Sequence, residues 1–346
     1  MKIKIKKNNL IAYGAGGVIG VIILGYVLVR IGQGLSTPGS PLSVLPFPLP
    51  QTSTSSLPST TSTTETPEAT LLQGMHMTFD DEFNTFSRYV DANGNVTCNP
   101  GGSGTWQTVY DFCSRTNFAN SEAEVYIDPA FLSYLKGESA SAAETDPDNP
   151  FSVSNGVLAI RAQPASTQVR SAVGQWAQYT SGIITTQFSF SQTYGYFEVR
   201  AKLPTGAGLW PAFWLLPEDK SWPPEIDALE AFGDPNPLDQ GGQTLIHYAS
   251  HATNPSQSCG NWYNVGVNIT QGFHTYGVDV EPSGITYYFD GVPYATCPPN
   301  ASVGKPMYML INLAVGSSGS WPGSPNGSNS WPAYLYIDYV RAYQKS

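Results

Sequence analysis

Charge is scarce in this sequence. Asp, Glu, Lys and Arg together make up 12% of the residues, and no helical hydrophobic period persists beyond ten of them. A helical bundle needs a sustained period and a charged outer face, so the composition favours short strands over bundles. Basic charge is scarcer still. Of 16 Lys and Arg, five (Lys2, Lys4, Lys6, Lys7 and Arg30) fall in the first 30 residues, which hold none of the 26 acids. The rest of the chain is therefore more acidic than the formal net charge of −10 suggests. Such a surface repels phosphate backbones, which excludes nucleic acid as a partner and favours a neutral substrate. Cysteine is limited to Cys98, Cys113, Cys259 and Cys297, with no C-x-x-C spacing. That argues against a zinc site. No internal repeat of about 20–50 residues is present.

Glycine (34), proline (28) and tyrosine (20) are what the chain has in quantity. They favour short strands and many turns. Alternating runs are frequent: "GVLAIRA" (156–162), "GYFEVRAKL" (195–203), "TYGVDVE" (275–281), "ITYYFDG" (285–291) and "LYIDYVRAY" (335–343). Gly, Pro and Asn separate them, and "FDGVPY" carries a hairpin-type Asp-Gly. The reading is one all-β domain over 75–346, a two-sheet β-sandwich with a Greek-key or jelly-roll path. Outside the cytoplasm an even cysteine count suggests disulfides. Proximity pairs Cys98 with Cys113 and Cys259 with Cys297, one of three pairings that sequence leaves open.

Ahead of that domain, a basic tail (1–9) precedes twenty uncharged residues, Leu10 to Val29. At about 1.5 Å per residue this run crosses a hydrocarbon core of about 30 Å. A signal peptide would have a shorter apolar run and a small-x-small cleavage site, whereas Arg30 follows directly. The expectation is an uncleaved single-pass anchor over 10–30, with the N-terminus cytoplasmic and the remainder outside. The alternative is a cleaved signal and a secreted protein. Residues 31–74 are rich in Ser, Thr and Pro without any hydrophobic period, which reads as a disordered, semi-extended tether.

The stretch "PPEIDALEAFGD" (223–234) sets Glu225, Asp227 and Glu230 among apolar neighbours. Burying a carboxylate costs several kcal/mol unless it is paired or keeps its proton. On a strand Glu225 and Asp227 share a face, while Glu230 has the opposite parity. A β-bulge at Ala228–Leu229 would bring it back. The two glutamates would then stand about 13 Å apart along the backbone, and leaning side chains can close that to about 5 Å. This spacing suits a nucleophile and a general acid/base, with an aspartate between them to tune protonation. The plainer alternative is three acids on a solvated strand face.

Several longer segments resemble, in order over 78–344, glycoside hydrolase family 16, the family of laminarinases and lichenases. "FDDEFN" (79–84) resembles its opening strand, and "NSEAEVY" (120–126) its N-x-E-x-x-x-Y segment. "SGIITT" (181–186) and "YGYFEVRAKLPTGAGLWPAFWLLP" (194–217) resemble the strands leading to its catalytic strand. "WPPEIDALE" (222–230) resembles its signature in the bulged E-x-D-x-x-E form, and "LYIDYVRAY" its closing strand. The resemblance implies a concanavalin-like jelly roll whose concave cleft cuts internal β-linkages of a polysaccharide with retention.

By position it makes Glu225 the nucleophile and Glu230 the general acid and then the base, the latter needing to hold a proton. Asp227, between them, is the tuning residue, since close carboxylates push their proton affinities apart. Trp222 and Trp210 become candidates for stacking on sugar rings, with core packing as the plainer reading of each, and Asn120 for hydrogen bonds to sugar hydroxyls. His247 falls near the acid/base, with a core histidine as its plainer reading. His247 and His251 share an i,i+4 spacing, but on a strand and loop this reads against a zinc pair. Catalysis requires no cofactor. A structural calcium on the convex face would involve Asp338 with carbonyls near Glu82 and Gly156.

The expected substrate is a β-1,3 or mixed β-1,3/1,4-glucan, since few basic residues lie near the presumed cleft to pair with an acidic galactan. The ectodomain is expected to be monomeric. Two departures from laminarinases stand out: Ala228 and Leu229 replace the usual Ile and Met, and "HYASHATNPSQSCGNWYNVG" (247–266) is a longer, more polar loop. A transglycosylase remodelling the cell's own surface glycan would use the same residues. A non-catalytic carbohydrate-binding module would keep the aromatics and lose the acids, all three of which are present.

Overall fold

The computed structural model describes residues 66–110, 113–234, 243–299 and 304–346. The expected tail and anchor (1–30), and the tether as far as residue 65, lie outside the described residues. No helix among the described residues is long and apolar enough to cross a membrane.

In chain order the strands are β1 (Met75–Asp81), β2 (Glu124–Tyr126), β3 (Phe151–Ser154), β4 (Val157–Pro164), β5 (Tyr179–Ser181), β6 (Ile183–Thr185), β7 (Gly195–Lys202) and β8 (Leu209–Pro217). There follow β9 (Glu225–Glu230), β10 (Leu245–His251), β11 (Cys259–Asn264), β12 (His274–Glu281), β13 (Gly284–Phe289), β14 (Val292–Cys297), β15 (Met307–Val315) and β16 (Ala333–Lys345). They form two sheets. The ten-stranded sheet runs β14-β13-β12-β7-β16-β4-β5-β2, with β1 beside β16 and β3 beside β4. The six-stranded sheet runs β11-β10-β9-β8-β15-β6. Apart from β2–β5, these pairings are antiparallel.

The core lies between the sheets and follows from strand alternation. From the ten-stranded sheet come Phe197, Val199 and Ala201 of β7, and Leu335, Ile337, Val340 and Ala342 of β16. From the six-stranded sheet come Leu209, Phe213 and Leu215 of β8, with Met309, Ile311 and Leu313 of β15. Both expected disulfides form. Cys259 on β11 and Cys297 on β14 belong to the edge strands of different sheets, so their bridge clasps the sandwich along one side.

The all-β reading missed four short helices: α1 (Pro67–Leu71), α2 (Pro129–Lys136), α3 (Ala140–Glu144) and α4 (Thr167–Val173). Each is started by a side-chain oxygen accepting from a first-turn N–H, that of Thr66, Asp128, Ser139 and Ser166 respectively. With at most eight residues, none is long enough to show a period in sequence. The tether reading of 31–74 is corrected at its end, where α1 lies against the sandwich. A side chain added to Gly291 would meet the Glu68 backbone nitrogen at 2.7 Å.

Candidate active site

The outer face of the six-stranded sheet carries a cleft of about 350 Å³. Alternation supplies its floor: Trp210, Ala212 and Trp214 from β8, His247 and His251 from β10, and Asn312 and Ala314 from β15. Strand β9 contributes Glu225, Asp227 and Glu230 to the same cleft. The register explains how a strand of mixed parity does this. Against β8, Phe213 faces Leu229 and the next residue, Trp214, faces Asp227, so Ala228 is an extra residue. The same shift separates His247–Glu230 from Ala249–Asp227 on the β10 side. Ala228 and Leu229 both join the core, and Glu230 is returned to the face of the other two acids.

Each glutamate has its own holders. Trp222 Nε1 donates to Glu225 Oε2 at 2.6 Å. Trp210 Nε1 donates to Glu230 Oε1 at 3.0 Å, and His247 Nδ1 lies 2.9 Å from Glu230 Oε2. Asp227 between them is only 3% exposed. Burial pushes its carboxyl well above the usual range, and the charges of Glu225 and Glu230 add to that. Burial also raises Glu225, but the His251 charge, the Trp222 hydrogen bond and the neighbouring Asp227 carboxyl oppose it. Both carboxyls are raised, Asp227 the more strongly, so of the two Asp227 is the better holder of a proton and Glu225 the better anion.

All seven residues expected at the site, namely Glu225, Asp227, Glu230, Trp222, Trp210, Asn120 and His247, line this one cleft. Trp222 stands 64% exposed at its edge. Asn120 is held by Glu122, Nδ2 donating to Oε1 at 3.3 Å. The residues expected around calcium lie elsewhere. The Glu82 carbonyl would sit 3.5 Å from a side chain added at Gly156, whose φ of 74° suits glycine. Asp338 is the extra residue of a register shift on β16, and its carboxylate pairs with Arg200. The Glu82 carboxylate pairs with Arg341. Calcium takes six to eight oxygens, so the expected donors fit it only in part.

Sequence reasoning missed several lining residues. Trp321, from the loop between β15 and β16, packs edge-on against Trp210 and His247 at 5.6 and 4.9 Å, and lies 5.3 Å from Trp262. It is 46% exposed. Its Gly/Ser/Pro-rich surroundings carry no period, so nothing in sequence marks it. Glu122 sits within the N-x-E segment, where its spacing alone does not distinguish it from the neighbouring Glu124. With the fully buried Glu124 it forms a carboxyl pair behind the cleft wall. Burial raises both, and Glu124 also feels the charge of Glu122. Asn312 receives Trp214 Nε1 at 2.9 Å and donates to the Tyr126 hydroxyl at 3.0 Å, tying the wall to the floor.

Endo-1,3-1,4-beta-glycanase ExsH of Rhizobium meliloti (strain 1021) is 39% identical over 275 residues, which cover 78% of this chain and 52% of that protein. The Beta-glucanase of Rhodothermus marinus is 31% identical over 214 residues, covering 56% of this chain and 69% of that one. Among solved structures, the laminarinase catalytic domain of Thermotoga maritima MSB8 matches with a TM-score of 0.58 at 25% identity, over 79% of this chain and 99% of that domain. The chain spans about half the length of the Rhizobium meliloti relatives it matches. The pattern of the glycosyl hydrolases family 16 matches residues 144–341. With that match, these relatives and the two-sheet fold, the chain belongs to glycosyl hydrolases family 16.

Proposed function

We propose that this chain is an endo-acting, retaining glycosidase that cleaves internal β-linkages of a β-1,3 or mixed β-1,3/1,4-glucan. One observation carries the reading: Glu225 and Glu230 face one cleft, each held by separate donors, with a buried aspartate between them whose carboxyl is pushed upward by burial. Glu225, kept anionic, attacks the anomeric carbon from below the sugar. Glu230 gives its proton to the departing glycosidic oxygen, then takes one from the water that releases the glycosyl-enzyme. Asp227 is the tuning residue, holding the proton that Glu225 must not keep. His247 and Trp210 aim Glu230, while Trp222 both aims Glu225 and offers its ring to a sugar face. Asn120 reaches sugar hydroxyls.

The register shift at Ala228 supports assignment to the bulged form of the signature. Among the described residues no Lys or Arg lines the cleft, which favours a neutral glycan. The similar proteins are named as glycanases, glucanases and laminarinases. Digestion of laminarin and lichenan with time-resolved product sizing tests the proposal. The expected result is early appearance of mid-length oligosaccharides. Release of monosaccharide alone, or no cleavage, overturns it, and products longer than a starting oligosaccharide indicate transfer in place of hydrolysis.

The proposal extends to the setting of the domain. The uncharged run Leu10 to Val29 is read as an anchor that places a monomeric catalytic domain outside the cytoplasm. Retention in the membrane pellet after carbonate washing is the expected result, and a soluble mature form starting shortly after Arg30 would replace the anchor with a cleaved signal. A structural calcium near Asp338, Glu82 and Gly156 is proposed on the resemblance and on the meeting of Glu82 with Gly156. It predicts a thermal midpoint that falls on chelation and recovers with added calcium.

A further inference from the structure

Strands β9 and β10 bring a third kind of ligand beside the two carboxylates. His251 pairs directly with Glu225 across the ladder, and Asp227 pairs with Ala249 two residues away. Alternation turns all three side chains toward the cleft, which they line. His251 Nε2 stands 3.2 Å from Asp227 Oδ2 and 4.0 Å from Glu225 Oε1. One ligand atom from each of the three lies within 4.8 Å of the other two. Asp227 Oδ2 is buried with no directed hydrogen bond, although its residue is 3% exposed and turned into this group. The His251 side chain, 44% exposed, leaves the group open to the cleft.

The 3.2 Å between His251 and Asp227 is that of neighbouring ligands around a small divalent ion, and Glu225, at 4.0 Å, needs only a small side-chain shift to join them. Zinc binds imidazole nitrogen and carboxylate oxygen at about 2.0–2.2 Å, so two ligands of a tetrahedral site stand roughly 3.3 Å apart. One imidazole with two carboxylates selects borderline ions such as Zn²⁺ or Cu²⁺ over Ca²⁺ and Mg²⁺, which favour all-oxygen shells. We propose that Glu225, Asp227 and His251 form a binding site for Zn²⁺ or Cu²⁺, and that the ion inhibits the enzyme by occupying the carboxylate that must attack the sugar. All three ligands line the cleft, so an ion held there and a polysaccharide exclude each other. Only the inhibition rests on the proposed glycosidase function; the binding does not.

Calorimetric titration of the full chain with zinc chloride tests the site. The expected result is one zinc bound per chain. His251→Gln and Glu225→Gln should each weaken it by at least about tenfold, a loss that even outer-shell changes can cause. His247→Gln, which leaves the three ligands in place, should retain it. Two substituted ligands keep the test decisive if either variant fails to fold. Unchanged binding in the folded His251 or Glu225 variant overturns the proposal, as does loss of binding in the His247 variant alone. With an active glucan, zinc should raise KM and leave kcat unchanged. A fall in kcat at constant KM overturns the competitive arm. Absence of any glucan cleavage would count against the proposed function while the calorimetric result still stands.

Discussion

At the scale of single residues, the site separates two acids that chemistry requires to behave differently. Glu225 sits between a tryptophan N–H, a histidine and a buried aspartate, all of which favour its charge. Glu230 is gripped on both oxygens, by Trp210 and His247. Glutamine has the same shape but neither attacks nor transfers a proton. Glu225→Gln and Glu230→Gln should therefore each lower kcat by about 10³-fold or more, with circular dichroism unchanged. Stability should hold or rise slightly, because each change removes a carboxylate from a partly desolvated place. Turnover near that of the unsubstituted enzyme by either variant would remove the assignment. The three acids were legible in sequence because their spacing is local. Trp321 and Glu122 were not, since their place in the cleft depends on packing between segments far apart in the chain. For His251 the local spacing points to His247, whereas the ladder sets it opposite Glu225.

At the scale of elements, strand β9 shows how one inserted residue decides which side chains share the cleft face. With Ala228 accommodated as a bulge, Glu225, Asp227 and Glu230 share the cleft face, and Ala228 and Leu229 fill the core. Deleting Ala228 would give E-x-D-x-E, which keeps parity on a regular strand. That variant should retain measurable activity if it folds, whereas inserting one residue beside Ala228 should turn Glu230 into the opposite layer and abolish cleavage. Assay of both variants on the best substrate decides; an active insertion variant would contradict the parity argument. Legibility also varied by element. The five alternating runs read from sequence all fall in the ten-stranded sheet, on β4, β7, β12, β13 and β16. Strand β15 gave no alternation because all nine of its residues are buried. The short helices were hidden by their length, and α1 by a Ser/Thr/Pro-rich lead-in that resembles tether.

At the scale of the whole molecule, the outer face of the ten-stranded sheet carries a titrating group under α1. Glu198 on β7 is fully buried, its Oε2 accepting from the Tyr196 hydroxyl at 3.0 Å. Burial, reinforced by the charge of Glu68 on α1, lifts its carboxyl to about 7 against the lowering influence of Tyr196, Arg341 and Tyr339. The folded state thus holds a proton that the unfolded chain releases near pH 4.5. Stability from this group is fully present below that pH and is lost as pH rises through about 7. At roughly 1.4 kcal/mol per pKa unit, the loss is on the order of 3 kcal/mol. Glu198→Gln should therefore raise stability at pH 8 and flatten the decline between pH 5 and 8, as read from denaturant midpoints; an unchanged pH profile would contradict it. The sandwich as a whole was legible from composition and alternation. The pairing of β11 and β14 across its two edges by Cys259–Cys297 gives that reading its physical frame. What the cleft does with its two glutamates is the central claim, and proton NMR of the first product formed tests it most directly. Glu225 as nucleophile and Glu230 as acid/base predict that the β-anomer appears first and mutarotates afterwards. An initial α-anomer would mean inversion, with carboxylates about 6.5–9.5 Å apart and a water between them, and would contradict the roles assigned here.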